Sequence, residues 1–474
     1  MNLTNITISG YRSINELDFK IEKFEDNSYT YCLIGENEAG KSSILRSIAL
    51  KDNNSEILLT QKDFHENTSD IQIEFTYELP NKTLKSIADI IDKQPDKNKF
   101  DIKANKFIGI SYMFLKNNFT PTSFINYINE EGDYDSIEFK INGEIIQLLE
   151  SEIHKTIFWS FDERFLISKE IVISSFFSNP DQISVPLKNC FLLAGYKIED
   201  FQAILQGIVA DSIERESVRE RLNEAVTKHI KSVWKSHPVK ITFDITEQKI
   251  NFHIKDLDST SKSKMIDQRS DGFKQFISFL LTISADYKNS QLKNAILLLD
   301  EPETHLHPSA QEFFLKELIN ISKSNNNLVF FATHSTHFID KDILKRTGKV
   351  FKPKEETKIL QFDNKKSTYS SVNYDVFNIS SSDYHNELYG DIKILLKIES
   401  TKDFDNKLKE LYPKILIISD YLHTDGRKFP CTLPTFIRHQ ISHRENKKND
   451  PYTESQLNVS IKTLLSILKT LERQ

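Results

Sequence analysis

The chain contains little glycine and cysteine, and it has no excess of positive charge. Its 474 residues include 12 glycines and three cysteines, and the formal net charge is −6 at pH 7. Cys32, Cys190 and Cys431 lie far apart, which argues against a disulfide framework or a zinc site and favours a reduced, cytoplasmic protein. Because the net charge is negative, any contact with nucleic acid requires a local basic patch.

Long hydrophobic runs are also missing from the sequence. No apolar run approaches the roughly 18 residues that are needed to span a bilayer, so no contact with a membrane is expected. The first nine residues alternate between apolar and polar side chains, as in a β-strand. They lack the basic and apolar regions of a signal peptide, which again favours the cytoplasm.

One glycine-containing motif is complete. Residues 35–42 follow the phosphate-binding pattern G-x-x-x-x-G-K-[ST], with the sequence Gly35-Glu36-Asn37-Glu38-Ala39-Gly40-Lys41-Ser42, and Ser43 comes next. An apolar run precedes the motif and a run with helical spacing follows it, which is the strand–loop–helix context that it requires. The N–H groups of such a loop bind phosphate oxygens. Residues 35–43 are therefore predicted to bind ATP, with Lys41 at the β- and γ-phosphates and Ser42 on Mg²⁺.

Two acids and a histidine follow later apolar runs. Asp300 and Glu301 come directly after the apolar residues 295–299. His334 follows the apolar residues 329–332, with only Thr333 between them. In phosphate-loop enzymes the first acid of such a pair holds Mg²⁺, and the second is placed to act as general base on the attacking water. His334 is predicted to contact the γ-phosphate and the water. Strands that alternate with helices around one phosphate loop predict an α/β fold.

A serine and a glycine open another helical run. Ser270 and Gly272 precede apolar residues at helical spacing, and a hydroxyl and N–H groups at a helix start can bind an anion. Two arrangements are open. If these residues contact the nucleotide of their own subunit, they lie beside the phosphate loop; if they contact a neighbour's nucleotide, ATP joins two subunits.

Together, these segments resemble the heads of ABC-type ATPases, and more narrowly the RecF/SMC-like and OLD (overcoming lysogenization defect) ATPases. Residues 300–308, Asp-Glu-Pro-Glu-Thr-His-Leu-His-Pro, and residues 6–13, Ile-Thr-Ile-Ser-Gly-Tyr-Arg-Ser, are typical of that group. The resemblance implies a mixed sheet flanked by helices, and an ATP-sandwich dimer in which Ser270 and Gly272 cap the partner's γ-phosphate. It also implies that Arg12 reaches towards the nucleotide, and Gln61 is a candidate glutamine-loop residue near Mg²⁺. The full Leu-Ser-Gly-Gly pattern of transporters is missing, so transport is not expected.

The resemblance divides the chain into four segments. The ATPase head comprises residues 1–84 and 239–378, and a helical arm occupies residues 85–238 between them. Residues 379–474 form a mainly helical C-terminal module that serves as a docking or effector unit. In this module Thr453 and Gln456 form a capping box before a final amphipathic helix.

The C-terminal module allows two interpretations. It has no dense carboxylate cluster of the kind that a Toprim nuclease needs, so no DNA-cutting site of its own is predicted. Arg438 and His443 match the R-x4-H signature of HEPN ribonucleases, in which the two residues act on RNA by acid–base chemistry. The other interpretation is a docking module in which both residues make structural hydrogen bonds. We favour the docking module, because a six-residue pattern with two fixed positions has low specificity.

Three functions remain open at the level of the sequence. An ATPase head without a Toprim domain is similar to the ATPase subunits of the Septu and PARIS antiphage systems, which pair with an HNH endonuclease and a Toprim nuclease. That resemblance implies a homo-oligomeric ATPase that uses ATP and Mg²⁺ and regulates a separately encoded nuclease. The alternatives are an ATP-gated HEPN-like ribonuclease that uses Arg438 and His443, and a RecF-like DNA-repair ATPase, which would need a basic DNA-facing surface.

Overall fold

The computed structural model describes most of the chain: residues 1–52, 58–93, 103–128, 131–138, 143–150, 152–159, 165–167, 170–233, 239–256, 264–265, 268–288, 292–362, 367–413 and 416–472. The chain divides into two compact units, Met1–Lys365 and Lys366–Gln474. The second unit begins before residue 379, where the C-terminal module was expected to start. Tyr374, which precedes residue 379, packs on Tyr384 of the same unit, with 5.2 Å between the ring centroids.

Strands and helices are numbered in chain order within the described residues. The strands are β1 (Asn2–Tyr11), β2 (Ile14–Lys20), β3 (Thr30–Ile34), β4 (Asp70–Glu78), β5 (Phe107–Leu115), β6 (Asn118–Ile128), β7 (Tyr134–Glu138), β8 (Lys155–Trp159), β9 (Ile171–Val172), β10 (Val239–Ile245), β11 (Lys249–Asp256), β12 (Lys264–Met265), β13 (Ala295–Asp300), β14 (Leu328–Thr333), β15 (Thr347–Phe351), β16 (Lys358–Gln361), β17 (Ile418–Leu422) and β18 (Lys428–Thr432). The helices are α1 (Lys41–Ala49), α2 (Asn81–Ile91), α3 (Gly143–Leu149), α4 (Ile173–Ser178), α5 (Pro180–Ile183), α6 (Val185–Leu193), α7 (Phe201–Ala210), α8 (Ser212–Val233), α9 (Asp271–Leu281), α10 (Ile283–Lys288), α11 (Pro308–Ile321), α12 (Tyr369–Phe377), α13 (Ser382–Leu395), α14 (Thr401–Leu411), α15 (Leu433–Ser442) and α16 (Glu454–Leu471). None of these helices combines the length and the apolar character that crossing a membrane requires.

A six-stranded sheet, called the central sheet below, carries the phosphate-binding loop. Its strand order is β16-β15-β3-β14-β13-β8. The five strands from β15 to β8 are parallel, and β16 at the edge is antiparallel. Because parallel strands end at the same edge of a sheet, the residues after β3, β13 and β14 come together there. The predicted α/β fold, a mixed sheet flanked by helices, is confirmed.

Helix α1 lies between the central sheet and a second six-stranded sheet. The second sheet has the order β2-β1-β4-β5-β6-β7 and is antiparallel throughout. One buried core contains Ile44 and Ile48 of α1, Ile8 of β1, and Leu298 and Phe330 of the central sheet. The helix that follows the phosphate loop is therefore held by apolar contacts to both sheets.

The opposite face of the central sheet is covered by α9 and α11. Alternate residues of a strand point to opposite faces, and Trp159 of β8 packs on Phe279 of α9 with 5.8 Å between centroids. Phe279 also contacts Phe314 of α11 at 4.4 Å. Helix α9, which begins directly after Ser270, is thus anchored to the sheet that carries the nucleotide loop.

The region predicted as a helical arm is only partly helical. Helices α7 and α8 occupy residues 201–233 as expected, but β5, β6 and β7 extend the antiparallel sheet from β4, and β8 is an edge strand of the central sheet. Residues 107–115 are rich in β-branched and aromatic side chains, which favour strands. A large part of residues 85–238 therefore belongs to the sheets of the first unit.

The second unit has its own hydrophobic core. Helices α13, α15 and α16 meet through buried residues that include Leu388, Ile437 and Ile461. The predicted capping box is confirmed at the start of α16: the Gln456 N–H donates to the Thr453 hydroxyl at 3.2 Å, and the Thr453 N–H donates to the Gln456 side chain at 2.8 Å.

Candidate functional site

Two glycines shape the phosphate loop between β3 and α1. Gly40 has a φ of 107°, and a Cβ atom there would lie 2.3 Å from the Thr357 hydroxyl oxygen. A Cβ atom at Gly35 would lie 2.2 Å from the carbonyl oxygen of Val350 in β15. Both positions therefore require glycine. The loop packs closely against β15 and against Thr357, which lies between β15 and β16.

Lys41 is buried within this loop. Its side chain donates hydrogen bonds of 2.9 Å to the carbonyl oxygens of Gly35 and Glu36. Burial lowers the pKa of Lys41, and the nearby carboxylates of Glu301 and Asp300 oppose that shift. The ammonium group therefore lies inside the bend of the loop, from where a lysine of this motif contacts phosphate oxygens.

The side-chain oxygens of Ser42 and Asp300 lie next to each other. The Ser42 hydroxyl donates a 2.9 Å hydrogen bond to Asp300 Oδ1. Burial raises the pKa of Asp300, and the hydrogen bond from Ser42 opposes this shift. Hydroxyl and carboxylate oxygens are ligands that Mg²⁺ accepts, commonly together with phosphate oxygens of the nucleotide, so the donor set fits the predicted ion.

Glu301 and His334 are brought together from neighbouring strands. The Glu301 N–H donates to the carbonyl oxygen of Ala332 at 3.0 Å, and Glu301 Oε1 lies 2.9 Å from His334 Nε2. Glu301 has a φ of 48°, which is uncommon for a residue with a side chain. The acid and the histidine that the sequence predicts as a catalytic pair are therefore in direct contact.

Arg12 lies at the same cleft and is held by Asp63. Arg12 Nε is 2.8 Å from Asp63 Oδ1. Burial alone would raise the pKa of Asp63, but the hydrogen bonds from Arg12 and Thr60 outweigh it and the pKa is lowered. Gln61 begins the neighbouring 3-10 turn and is exposed. The described residues that line the cleft include the neighbouring Lys62 but not Gln61. The role of Gln61 therefore stays a prediction.

The cleft has a volume of about 1350 Å³ and includes residues that carry no motif. Besides the phosphate loop, Arg12, Glu301 and His334, it is lined by Lys62 and by Lys352 and Lys354, which follow β15. Sequence reasoning missed these lysines because each lies in an unremarkable turn. The approach of residues 352–357 to the loop, where the Thr357 hydroxyl donates to the carbonyl oxygen of Ala39 at 3.1 Å, is visible only in the fold.

Ser270 and Gly272 lie outside the cleft of their own chain. The Ser270 hydroxyl caps α9 by accepting a 3.4 Å hydrogen bond from the Phe273 N–H, and Ser270 is exposed. A Cβ atom at Gly272 would lie 2.2 Å from the carbonyl oxygen of His305, so glycine lets α9 approach the segment that follows Glu301. Neither Ser270 nor Gly272 is among the described residues that line the cleft.

The two residues of the R-x4-H pattern lie at the end of α15. Arg438 donates to the side chains of Ser442 at 2.6 Å and Asn386 at 3.3 Å. The side chain of His443 is 51% exposed, and its Nδ1 atom lies 3.2 Å from Glu445 Oε1. Arg438 is thus anchored within the second unit, whereas His443 faces solvent.

Comparison with known proteins identifies the first unit's family. Residues 1–339 match the family model described as an AAA ATPase domain. Two uncharacterized proteins of Methanocaldococcus jannaschii, MJECL43 and MJECL11, are 31% identical over 139 residues and 39% identical over 70 residues. The matches cover 28% and 15% of this chain and 35% and 56% of those proteins, so the chain spans about half or less of these curated relatives.

Solved structures of SMC heads are similar in part. An SMC head bound to the C-terminal winged-helix domain of ScpA has a TM-score of 0.45 and 12% identity, covering 77% of this chain and 98% of that chain. An SMC head with an extended coiled coil, bound to the C-terminal domain of ScpA from Pyrococcus furiosus, has a TM-score of 0.45 and 10% identity, covering 76% and 96%.

Proposed function

The chain belongs to the AAA ATPase domain family, and from that premise we propose that it binds ATP with Mg²⁺ in the Lys41 cleft and hydrolyses it. Lys41 and the N–H groups of residues 35–43 hold the phosphates, and Ser42 and Asp300 hold the metal. Mg²⁺, when bound, neutralises charge on the β- and γ-phosphates. Arg12 supplies a further positive charge at the rim of the cleft.

The observation that carries this proposal is the contact between Glu301 and His334 beside the phosphate loop. A carboxylate 2.9 Å from an imidazole can accept a proton from water while the imidazole orients the water or the γ-phosphate. Glu301 is the general base in this proposal, and His334 is its partner. The reaction is the attack of water on the γ-phosphorus, with ADP as the leaving group and the proton on Glu301.

The same proposal includes assembly through the heads. Ser270 and Gly272 lie outside the cleft of their own chain, yet Gly272 contacts the segment that follows the catalytic acid. We assign them to the γ-phosphate of a second copy, so that ATP lies between two subunits. Of the two possibilities that the sequence leaves open, we therefore propose the second.

The ATPase cycle is proposed to regulate a separate nuclease in prokaryotic antiphage defence. The resemblance to the Septu and PARIS ATPase subunits supports this step, and the second unit, with its own core of α13, α15 and α16, is the candidate docking module. The partner would be an HNH or a Toprim nuclease, encoded separately and located with this protein in the cytoplasm.

The first test is ATP binding and hydrolysis by Lys41→Ala. The substitution removes the cation within the loop, so the variant is expected to lose ATP binding, measured by isothermal titration, and with it phosphate release. Lys316→Ala, an exposed lysine of α11, is the control and should behave as wild type. Unchanged ATP affinity in Lys41→Ala would contradict the site assignment.

A second candidate function is an ATP-gated HEPN-like ribonuclease. The observation that favours it is the arrangement on α15, where Arg438 is oriented by Asn386 and Ser442 while the imidazole of His443 is open to solvent. Purified protein with ATP and total RNA is expected to cleave RNA if this function is correct, and His443→Ala should abolish cleavage. His423→Ala, an exposed histidine of the same unit, is the control. Intact RNA under these conditions would exclude the ribonuclease and leave the docking module.

A further inference from the structure

Glu303 is a buried acid in the turn between β13 and α11. It is 5% exposed, and its Oε1 atom accepts hydrogen bonds from the Thr333 hydroxyl and, at 3.2 Å, from the His334 N–H. Within the described part of the chain, its Oε2 atom is buried without a hydrogen-bond partner. Such an oxygen destabilises a fold, so the contacts of Glu303 are not explained by stability alone.

The turn that contains Glu301 and Glu303 contacts both the side chain and the backbone of His334. Its imidazole Nε2 lies 2.9 Å from Glu301 Oε1, and its backbone N–H bonds to Glu303. The turn itself is closed by Thr304, whose N–H and hydroxyl donate to the Glu301 carbonyl oxygen at 3.2 and 2.8 Å. A change at Glu303 therefore moves the backbone of His334 relative to Glu301.

Glu303 is set behind the residues that face the nucleotide. The described residues that line the cleft include Glu301 and His334 but not Glu303. Burial raises the pKa of Glu303, while the hydrogen bonds from Thr333 and His334 oppose that shift. The hydrogen bonds of Glu303 thus go to Thr333 and His334 at the end of β14, and its side chain does not line the cleft.

We propose that Glu303 is a positioning residue for ATP hydrolysis, which holds Thr333 and His334 so that the imidazole stays on the Glu301 carboxylate. This role rests on the proposed function, because it belongs to the same reaction. It affects the hydrolysis step and leaves nucleotide binding to the phosphate loop.

The test separates kcat from KM in two variants of the full chain. Glu303→Ala removes the acceptor and is expected to lower kcat at least about tenfold, with KM and the ATP dissociation constant changed by less than about threefold. Glu303→Gln keeps an oxygen for both donors, so its kcat should stay within about threefold of wild type. Glu312→Gln, an exposed acid of α11, is the matched control.

The decisive measurement is the same substitution in a His334→Ala background. If Glu303 acts through His334, Glu303→Ala causes no further loss of kcat there, because the two effects belong to one interaction. Thr333→Val, which removes one donor but keeps the acid, should lower kcat by the same route and serves if Glu303→Ala does not fold. Equal losses of kcat in both backgrounds, or a raised KM with unchanged kcat, would overturn the role.

Failure of this role is distinguishable from failure of the proposed function. A wild-type protein without ATPase activity would overturn the proposed function and the role of Glu303 with it. An active wild type in which the Glu303 and His334 substitutions are additive would overturn only the role of Glu303.

Discussion

Glu301 has an unusual backbone conformation and is in direct contact with His334. A φ of 48° is sparsely populated by residues with side chains, and such strain clusters at functional sites. The residue lines the cleft, and its carboxylate contacts His334 at 2.9 Å. We therefore expect a substitution of Glu301 to separate ATP binding from ATP hydrolysis.

Glu301→Gln is expected to bind ATP and hydrolyse it far more slowly. The amide keeps the size of the side chain but cannot accept the proton, and loss of a general base costs about 10²- to 10⁴-fold in rate. Phosphate release at saturating ATP measures the rate, and titration with ATP measures binding. The exposed Glu220→Gln on α8 should match wild type. Turnover at the wild-type rate in Glu301→Gln would remove the residue from this role.

About half of the described residues that line the cleft could be predicted from the sequence, because these follow apolar strands. The acids after β13 and the histidine after β14 are recognisable for this reason, and parallel strands then bring them to one edge. The role of Glu303 cannot be predicted from the motif of residues 300–308, since its contacts with Thr333 and His334 depend on the exact turn. The lysines Lys62 and Lys354 could not be found, because no local pattern marks them.

At the scale of single elements, α13 and α16 are joined by a buried histidine. His385 of α13 is fully buried, and its Nε2 atom lies 2.9 Å from the Ser460 hydroxyl of α16. Burial lowers the pKa of His385 to about 4, from a usual value of 6.5. The neutral ring is therefore the form that the packed helices accept.

The stability of the second unit should fall as the pH falls from about 6.5 to about 4. In this range the unfolded state binds a proton at His385 and the folded state does not, so the free energy of unfolding decreases by up to about 3 kcal/mol. In a Cys32→Ala, Cys190→Ala background, which removes the two buried thiols of the first unit, the urea concentration at which the buried thiol of Cys431 reacts with a dipyridyl disulfide reports the unfolding of the second unit.

His385→Gln removes the titrating group and is expected to flatten this pH dependence. His423→Gln, which changes an exposed histidine of the same unit, should keep the wild-type pH dependence. If wild type and His385→Gln lose stability in parallel between these pH values, another group is responsible.

Helices and strands could be predicted where a local sequence pattern determines them, and could not where long-range strand pairing determines them. The capping box at Thr453 and the strand–loop–helix around the phosphate motif are local patterns, and both are present in the fold. The strands β5 to β7 were expected to be helical, although residues 107–115 have strand-like composition. Their place is determined by pairing with β4, in which Asp70 lies opposite Leu115, and a short window of sequence does not record that pairing.

At the scale of the whole molecule, the proposed dimer depends on two separate surfaces of the first unit. The cleft is lined by residues of the phosphate loop, Glu301 and His334, whereas the start of α9 is not among the described residues that line it. The close contact between Gly272 and His305 couples that helix start to the segment after the acids. A second copy that supplies its own Ser270 and Gly272 would complete the γ-phosphate site, and ATP would then promote dimer formation.

Ser270→Asp is expected to abolish ATP-dependent dimerisation without loss of ATP binding. Aspartate caps a helix as well as serine does, so α9 remains stable, but its charge repels the γ-phosphate of the partner. Gel filtration with a non-hydrolysable ATP analogue should show a dimer for wild type and a monomer for the variant, at equal affinity for the analogue. Ser400→Asp, which changes the cap of α14 in the same way, should dimerise as wild type. A dimer formed equally well by Ser270→Asp would mean that the start of α9 does not contact the nucleotide of a second copy.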